Sequence, residues 1–390
     1  MTFHDRPRLP RGFRSAGRHC GIKEKAGELD LSLFVSEVPA RAAALFTRNH
    51  FPGAPVVVGR ERLRGGRLQA VVVNSRVSNV ATGAAGIADA REMGRLAAEE
   101  LGIPEELVLM SSTGVIGRRL PLEKIARGLT GMSGELGDDP FPGARGIMTT
   151  DSAPKVLSLA VGDATLTAVG KGAGMISPNL ATMLVFLFTD ADLSALDLHA
   201  LLMSTADDTF HCLSVDTDTS TSDTVALLAN GVAGGVPEGE FAHALFHISL
   251  RMAELVARDG EGATKLLRVR VDGAVTDAEA KRVAKSVVDS PLVKTMAYGA
   301  DPNVGRILMA VGKCVDCTIL PERTQASIQG VQVIRNGVSA PFDDTEVRSL
   351  LQSDPVEIAI SLGVGEGAGI GLGCDLTEGY IEENAAYASS

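Results

Sequence analysis

The sequence predicts a mixed fold of the α+β type, in which sheets pack against helices. Two apolar runs, Leu68–Val73 and Met183–Phe188, have the length and the β-branched or aromatic content of buried strands. Apolar residues recur with helical spacing over Gly83–Leu101, and Gly102 and Pro104 end that pattern. With 390 residues, 45% of them hydrophobic, the chain can form two domains or one large one. Short strands mixed with helices favour sheets covered by helices on the outside.

Composition argues against several classes of function. The net charge of 37 − 48 = −11 and the pI near 5.2 disfavour a nucleic-acid partner. No apolar run approaches the roughly 18 residues of a membrane helix, and the arginine-rich first 20 residues lack the apolar segment of a secretory signal. Five cysteines, an odd number in a long chain, indicate a reducing compartment. We therefore expect a cytoplasmic protein with no membrane partner.

No metal or cofactor site is predicted. Cys314 and Cys317 form a lone CxxC pair, without the second pair or the two histidines that a zinc site needs. His243 and His247 share one face of a predicted helix, but Ala244 stands where a metalloprotease carries glutamate.

Two loop motifs resemble ligand-binding loops only in part. Asp216–Asp223 begins like a calcium loop, but Thr221 and Leu227 stand where that loop needs glycine and glutamate. Its serines and threonines favour a turn network beside a site. Lys171 precedes Gly172–Gly174, which is the reverse of the order in a phosphate-binding loop.

The first half of the chain is predicted to alternate strands, helices and loops. Leu29–Val35 and Val56–Val58 are interpreted as short strands among prolines, and Leu107–Met110 as a further strand. Glycines and prolines over 130–146 predict a loop that covers one edge of a site. Strands are expected on either side of Gly162–Asp163.

The second half mixes both element types. Helices are predicted at Leu193–Phe210 and Phe241–Arg258, and a third should begin at the capping box of Thr276 and Glu279. Short strands are expected near residues 266–271, 307–311, 326–334 and 356–362, with a helix at Thr345–Leu351. We expect a smaller α/β domain within about 275–375.

Thr182 occupies a position suited to a nucleophile. The glycine- and proline-rich stretch from Lys171 predicts a loop, and the strand at Met183–Phe188 follows directly. If the bond between Ala181 and Thr182 breaks, the new α-amino group, with a pKa near 8, can act as the base that a threonine hydroxyl needs. A threonine at the start of a buried strand can equally be structural.

Two other stretches could complete such a site. Thr113 and Gly114, in a turn at a strand end, could supply a hydroxyl and an N–H to an oxyanion. Turns of this composition are also common without function. Glu261 lies between Gly260 and Gly262, where a ligand can approach closely, or where a helix simply ends.

Several long motifs, in order, resemble the ornithine acetyltransferase (glutamate N-acetyltransferase) family of arginine biosynthesis, most of all the members found near β-lactam biosynthesis. The likeness covers nearly the whole chain. Its motifs are Ser112–Gly117, Ile147–Asp151, Lys171–Leu184, Asp216–Asp223, Asp259–Lys265, Asp301–Arg306 and Cys374–Tyr380 with Asn384.

The resemblance implies an αββα sandwich of the self-cleaving N-terminal-threonine type, cut into chains 1–181 and 182–390. Thr182 would be the nucleophile, and Thr113 with Gly114 the oxyanion hole. The substrates would be N-acetylornithine, glutamate and ornithine, and the assembly an α2β2 heterotetramer. The residues that match the family's substrate-binding positions are Thr149, Lys171, Thr182, Glu261, Asn384 and Ser389.

Two positions depart from the family's pattern. Ser389 stands where threonine is more usual, and Val304 replaces a tryptophan, in a chain that has none. The second change alters a packing contact or part of the pocket rim. Alternatives are an amidase or aminopeptidase on the same fold, an acyltransferase of secondary metabolism with another amino-acid substrate, and a non-catalytic protein that keeps the fold.

Overall fold

The computed structural model describes residues 2–177 and 183–386. These residues fold into two compact units. The first contains the described residues of Met1–Gly172, Pro178–Phe210 and Thr219–Met252. The second contains those of Ala173–Ser177, His211–Asp218 and Ala253–Ser390.

Eight strands of the described chain form the sheet of the first unit. They are β1 (Phe13–Arg18), β2 (Leu31–Phe46), β3 (Arg67–Asn74), β4 (Val108–Ser112), β5 (Lys155–Val161), β6 (Ala164–Lys171), β7 (Leu184–Asp192) and β8 (Thr224–Gly235). The order is β4-β3-β2-β8-β7-β6-β5, with β1 also paired to β2. The β3–β4 and β7–β8 pairs are parallel, and the others are antiparallel.

The long strand β2 belongs to both parts of this sheet. Its first part pairs with β1 and β3, its register shifts between Val35 and Ala40, and from Arg41 onward it pairs with β8. The ring of Phe34, in the first part, lies 5.8 Å from that of Phe186 and 5.3 Å from that of Phe188 in β7. The first part of β2 therefore lies across a shared apolar core from β7.

The helices of the first unit are α1 (Ala54–Arg62), α2 (Gly83–Leu101), α3 (Leu122–Leu129), α4 (Phe141–Gly146), α5 (Leu198–Asp208) and the start of α6 (Glu238–Arg258). Residues from α1, α2 and α3 form one apolar cluster with Ala70 and Val72 of β3. Val71 and Val73 lie in the other cluster. Both faces of β3 are thus buried, which explains its unbroken apolar sequence.

The second unit has its own sheet and helices. Its described strands are β9 (Leu266–Ala274), β10 (Gln325–Ile328), β11 (Val331–Arg335), β12 (Val338–Ser339), β13 (Val356–Ser361) and β14 (Gly367–Cys374), in the order β12-β11-β10-β13-β9-β14. Its helices are α7 (Asp277–Val288), α8 (Pro291–Tyr298), α9 (Gly305–Gly312), α10 (Asp344–Leu350) and α11 (Glu378–Ala386), in addition to the end of α6. The side chain of Thr276 accepts a hydrogen bond from Glu279 N, so the predicted cap of α7 is confirmed.

Four local predictions were wrong. Val56–Val58 lies in α1, because Gly53 and Pro55 begin a helix there, and 307–311 lies in α9. The stretch 130–146 is not all loop, since it contains α4 and a 3₁₀ turn at Met132–Glu135. The helix expected from Leu193 starts only at Leu198, after an N-cap on Asp197.

Candidate active site

The proposed cleavage site, Ala181 and Thr182, lies outside the described residues, as does Ser389. The residues around the entry to β7 are described. Met183 O accepts a hydrogen bond of 3.0 Å from Thr224 N. Leu184 pairs with Lys171 of β6 on one side and with Thr224 of β8 on the other. The chain after position 182 is therefore fixed between two strands.

Thr113 and Gly114 lie in a tight turn after β4. Thr113 N donates to Asn74 O at 3.1 Å, and Val115 N donates to Arg76 O at 3.0 Å. Gly114 has φ of +124°, and a Cβ there would lie 2.2 Å from the carbonyl carbon of Arg76. Glycine is required on both counts.

Short contacts connect this turn to the start of β8. Ser78 N donates to Val115 O at 3.1 Å. A Cβ on Gly53 would lie 3.5 Å from both Ser78 O and Ser222 Oγ, and Gly53 N donates to Thr221 O at 2.8 Å. The candidate oxyanion turn and the residues just before β8 thus belong to one connected region of the first unit.

Asp151 organises Thr149 and Lys171, the described substrate-binding candidates of the first unit. Its Oδ2 accepts from Thr149 N at 3.0 Å, and its Oδ1 accepts from Gly172 N at 2.7 Å, directly after Lys171. Lys155 Nζ lies 2.6 Å from Oδ1, in a pair whose side chains are almost fully buried. Lys171 Nζ is 3.5 Å from Thr149 Oγ1. One carboxylate therefore positions both segments.

The charge of Asp151 is stabilised by its neighbours. Burial alone would raise the pKa of this carboxyl. The charges of Lys155 and Lys171 and the hydrogen bonds lower it by more, so its pKa lies below the ordinary value. A carboxyl with a depressed folded-state pKa stabilises the fold above its unfolded pKa and loses that contribution as pH falls through the folded value.

We expect Asp151→Asn to lower the unfolding free energy by about 3 kcal/mol or more, because it leaves the buried Lys155 without its carboxylate. Urea unfolding at neutral pH measures this change, and the difference from wild type should shrink below about pH 4. Glu99→Gln is the control, since it breaks an exposed pair, also at i,i+4 spacing, with Arg95. Equal stability losses in the two variants would contradict the role of Asp151.

Asp223, immediately before β8, is a second buried carboxyl in this region. It is 2% exposed, and its Oδ2 has no hydrogen-bond partner among the described residues. Burial raises its pKa well above the ordinary value, although a hydrogen bond from Ser220 and the charge of Lys171 act against that shift. This carboxyl therefore holds its proton to higher pH than an exposed one does.

Asp223→Asn should change how stability depends on pH. With a raised folded-state pKa, the native protein binds more protons than the unfolded chain between the two pKa values, so its unfolding free energy falls as pH rises from about 4. D223N lacks this decline. Urea unfolding across the pH range should therefore show that the unfolding free energy of D223N increases relative to that of wild type as the pH rises. A constant difference would contradict the shift.

Glu261 and Asn384 meet within the second unit. Asn384 Nδ2 donates to Glu261 Oε2 at 2.7 Å and to Tyr380 O at 2.9 Å. A Cβ on Gly174 would lie 2.3 Å from Glu261 Oε2, so glycine at 174 lets the carboxylate approach the loop after Lys171. Glu261 N donates to Ala173 O at 3.0 Å.

Asp216 fixes the same loop. Its carboxylate accepts from Met175 N at 2.6 Å and from Ile176 N at 2.7 Å. Burial raises the pKa of this carboxyl despite those bonds. Backbone N–H groups thus occupy the carboxylate that a calcium site would need.

Other candidate groups take structural positions. In the described part of the chain, no cluster of three or more His, Cys, Asp or Glu side chains could hold a metal. Burial raises the pKa of Cys317 to about 11. His243 and His247 contact each other through Nε2 atoms 2.8 Å apart on an exposed helix face. Val304 is buried in the apolar cluster of the second unit.

Comparison with known proteins identifies the family. A model described as the ArgJ family matches residues 14–389.

The chain belongs to the ArgJ family.

The arginine biosynthesis bifunctional protein ArgJ 2 of Nostoc sp. is 48% identical over 382 residues, which cover 97% of this chain and 98% of that protein. The glutamate N-acetyltransferase Oat2 of Streptomyces clavuligerus is 44% identical over 389 residues, covering 98% and 99% of the two chains. A crystal structure of the arginine biosynthesis bifunctional protein argJ from Bacillus halodurans is 41% identical with a TM-score of 0.51, and covers 53% of this chain and 100% of that one. Membership of the ArgJ family makes the chain an acetyltransferase enzyme. None of the helices that the structure describes is both long and apolar enough to span a membrane.

Proposed function

We propose that the chain transfers an acetyl group from N-acetylornithine to glutamate through an acetyl ester on Thr182. The register of β6, β7 and β8 is the observation that carries this proposal. It puts Lys171, the candidate for the substrate α-carboxylate, beside the strand into which position 182 leads. The glutamate N-acetyltransferase Oat2, which is named for acetyl transfer to glutamate, matches almost the full length of the chain.

Self-cleavage between Ala181 and Thr182 precedes the reaction in this proposal. The Bacillus halodurans polypeptide, matched over its whole length, corresponds to 53% of this chain, or about 207 of 390 residues. Cleavage here would give chains of 181 and 209 residues. A relative whose crystallised chain has about half this length supports such processing.

The wider architecture is also part of the proposal. The shared strand β2 and the ring contacts of Phe34 with β7 support two sheets packed face to face, with helices outside, as in an αββα sandwich. We further propose a cytoplasmic enzyme that assembles as an α2β2 heterotetramer. None of the five cysteines forms a disulfide, which suits a reducing compartment.

The first half-reaction forms the acetyl ester. The α-amino group of Thr182 takes the proton of its own hydroxyl, and Oγ1 attacks the acetyl carbonyl of N-acetylornithine. The Thr113 hydroxyl and Gly114 N–H stabilise the oxyanion. The amide C–N bond then breaks, the proton passes to the departing amine, and ornithine leaves. Thr149 and Lys171 hold the α-carboxylate.

The second half-reaction reverses this order with glutamate as the nucleophile. Its amine attacks the ester carbonyl, gives a proton to the α-amino base and leaves as N-acetylglutamate, while Oγ1 regains its proton. Glu261, Asn384 and Ser389 are proposed to bind substrate, with Glu261 holding an amino group. Water must be excluded from the active site until glutamate attacks the acetyl ester.

Incubation with N-acetylornithine, with and without glutamate, tests this function. We expect N-acetylglutamate to form and sustained release of ornithine to require glutamate. Equal ornithine release without glutamate, and no N-acetylglutamate, would instead identify a hydrolase of the amidase type. No ornithine release under either condition would support a non-catalytic protein.

A further inference from the structure

Lys23 lies in the loop before β2 and belongs to none of the sequence motifs described above. Asp30 holds the backbone of this loop. Its fully buried carboxylate accepts from Cys20 N at 2.6 Å, Ile22 N at 2.7 Å and Lys23 N at 2.9 Å. The position of Lys23 is thus fixed by three charge-assisted hydrogen bonds.

The base of this loop lies beside the candidate site. Asp30 O accepts from Ser75 N at 3.0 Å, and Leu31 pairs with Asn74, whose carbonyl accepts from Thr113 N. On the other side, a Cβ on Gly146 would lie 2.9 Å from Leu31 O, so the loop base also contacts the end of α4, three residues before Thr149.

Lys23 is half-buried, and no hydrogen bond or ion pair joins its ammonium group to any described residue. Burial lowers its pKa, the charge of Lys171 lowers it further, and the carboxylates of Glu28, Asp30 and Asp151 partly oppose this. The contact of the loop base with Gly146, close in sequence to Thr149, and the approach of Lys171 to Thr149 place both lysines in one region of the first unit. Two half-buried cations in one region favour an anionic ligand.

Its neighbour Lys25 behaves differently. Lys25 is exposed and pairs with Glu28 at 2.9 Å. A paired, solvated lysine is the ordinary outcome for a loop of this kind. Lys23 lies in the same loop and near the same Glu28, but it forms no ion pair with any described residue.

We propose that Lys23 binds the side-chain carboxylate of the acceptor, so that Lys23 and Lys171 together select an amino acid with two carboxylates. This inference rests on the proposed transfer to glutamate. Glutamate carries two carboxylates, whereas the donor N-acetylornithine carries one carboxylate and a side-chain ammonium. Lys23 therefore contributes to the second half-reaction and little to the first.

Lys23→Met should raise the KM for glutamate by about 10- to 100-fold, the effect of losing one hydrogen bond between charged groups. The preference for glutamate over glutamine, as the ratio of kcat/KM values, should fall by a similar factor. Single-turnover acetylation by N-acetylornithine should stay within about twofold of wild type, because the donor lacks the second carboxylate.

Lys25→Met is the matched control, since it removes one positive charge from the same loop at an exposed site. It should keep the wild-type acceptor preference, and Lys23→Arg should keep most of it. If K23M does not fold, Lys23→Gln is compared with K25M instead, and a reduced glutamate-to-glutamine preference in K23Q alone supports the proposal.

A wild-type ratio in K23M, or in K23Q where only that variant folds, overturns the role of Lys23. An equal loss in K23M and K25M overturns it too, because the effect would then be long-range charge. If wild type itself transfers nothing to glutamate, the proposed function fails instead, so the two failures are distinguishable.

Discussion

Thr182→Ala is expected to give a single chain of 40.6 kDa that is folded and inactive. Without the hydroxyl, no ester can form at the bond after Ala181, so no free α-amino group appears. The variant should neither release ornithine nor form N-acetylglutamate. A denaturing gel shows whether the chain is cleaved, and a thermal unfolding transition shows whether it is folded.

Thr182→Ser is the matched control, because it keeps a hydroxyl at the same atom position. It should still be cut into chains of 181 and 209 residues and should retain part of the activity. Normal processing of T182A would rule out Thr182 as the residue that cleaves the chain. An uncut but fully active wild type would rule out the free α-amino base.

Thr113→Val should reduce kcat by about 10²- to 10³-fold, since it removes one of the two donors to the oxyanion. The backbone bond from Thr113 N to Asn74 O does not depend on the side chain, so the turn should be retained. KM should change less than kcat, because the oxyanion exists only after attack. Steady-state kinetics with both substrates measure the two constants.

Thr113→Ser keeps a hydroxyl and should recover much of the lost rate. If T113S were as slow as T113V, packing of the methyl group and not hydrogen bonding would explain the loss. If T113V kept the wild-type kcat, the oxyanion hole would have to be elsewhere.

Elements with a clear period or cap could be predicted from the sequence. Helix α2 spans the predicted Gly83–Leu101, and Thr276 caps α7 as expected. The secondary structure of short apolar runs was harder to predict. Val56–Val58 and 307–311 have the composition of strands, but a run of three to five residues shows no period that separates strand from helix.

The site was predictable only where residues carry a motif. Thr113, Thr149, Lys171 and Glu261 belong to long family-like stretches, and the structure brings Thr149 to Lys171 and Glu261 to Asn384. Nothing in a linear sequence reports burial or an unpaired oxygen. The roles of Asp151 and Asp223 depend on those properties and became visible only in the folded chain.

Lys23 illustrates the same limit. In sequence it is one of several charged residues in a loop with Glu24 and Lys25. Only the three bonds to Asp30 and the absence of a described partner set it apart. Burial and the lack of a partner are properties of the folded chain, so the sequence alone does not distinguish Lys23 from Lys25.

Mass spectrometry after incubation with N-acetylornithine alone tests the central claim most directly. We predict that the fragment beginning at Thr182 becomes heavier by one acetyl group, that peptide mapping locates this group on Thr182, and that added glutamate removes it as N-acetylglutamate. An enzyme that transfers acetyl to glutamate while this fragment is never acetylated, or is acetylated at another residue, would contradict the account.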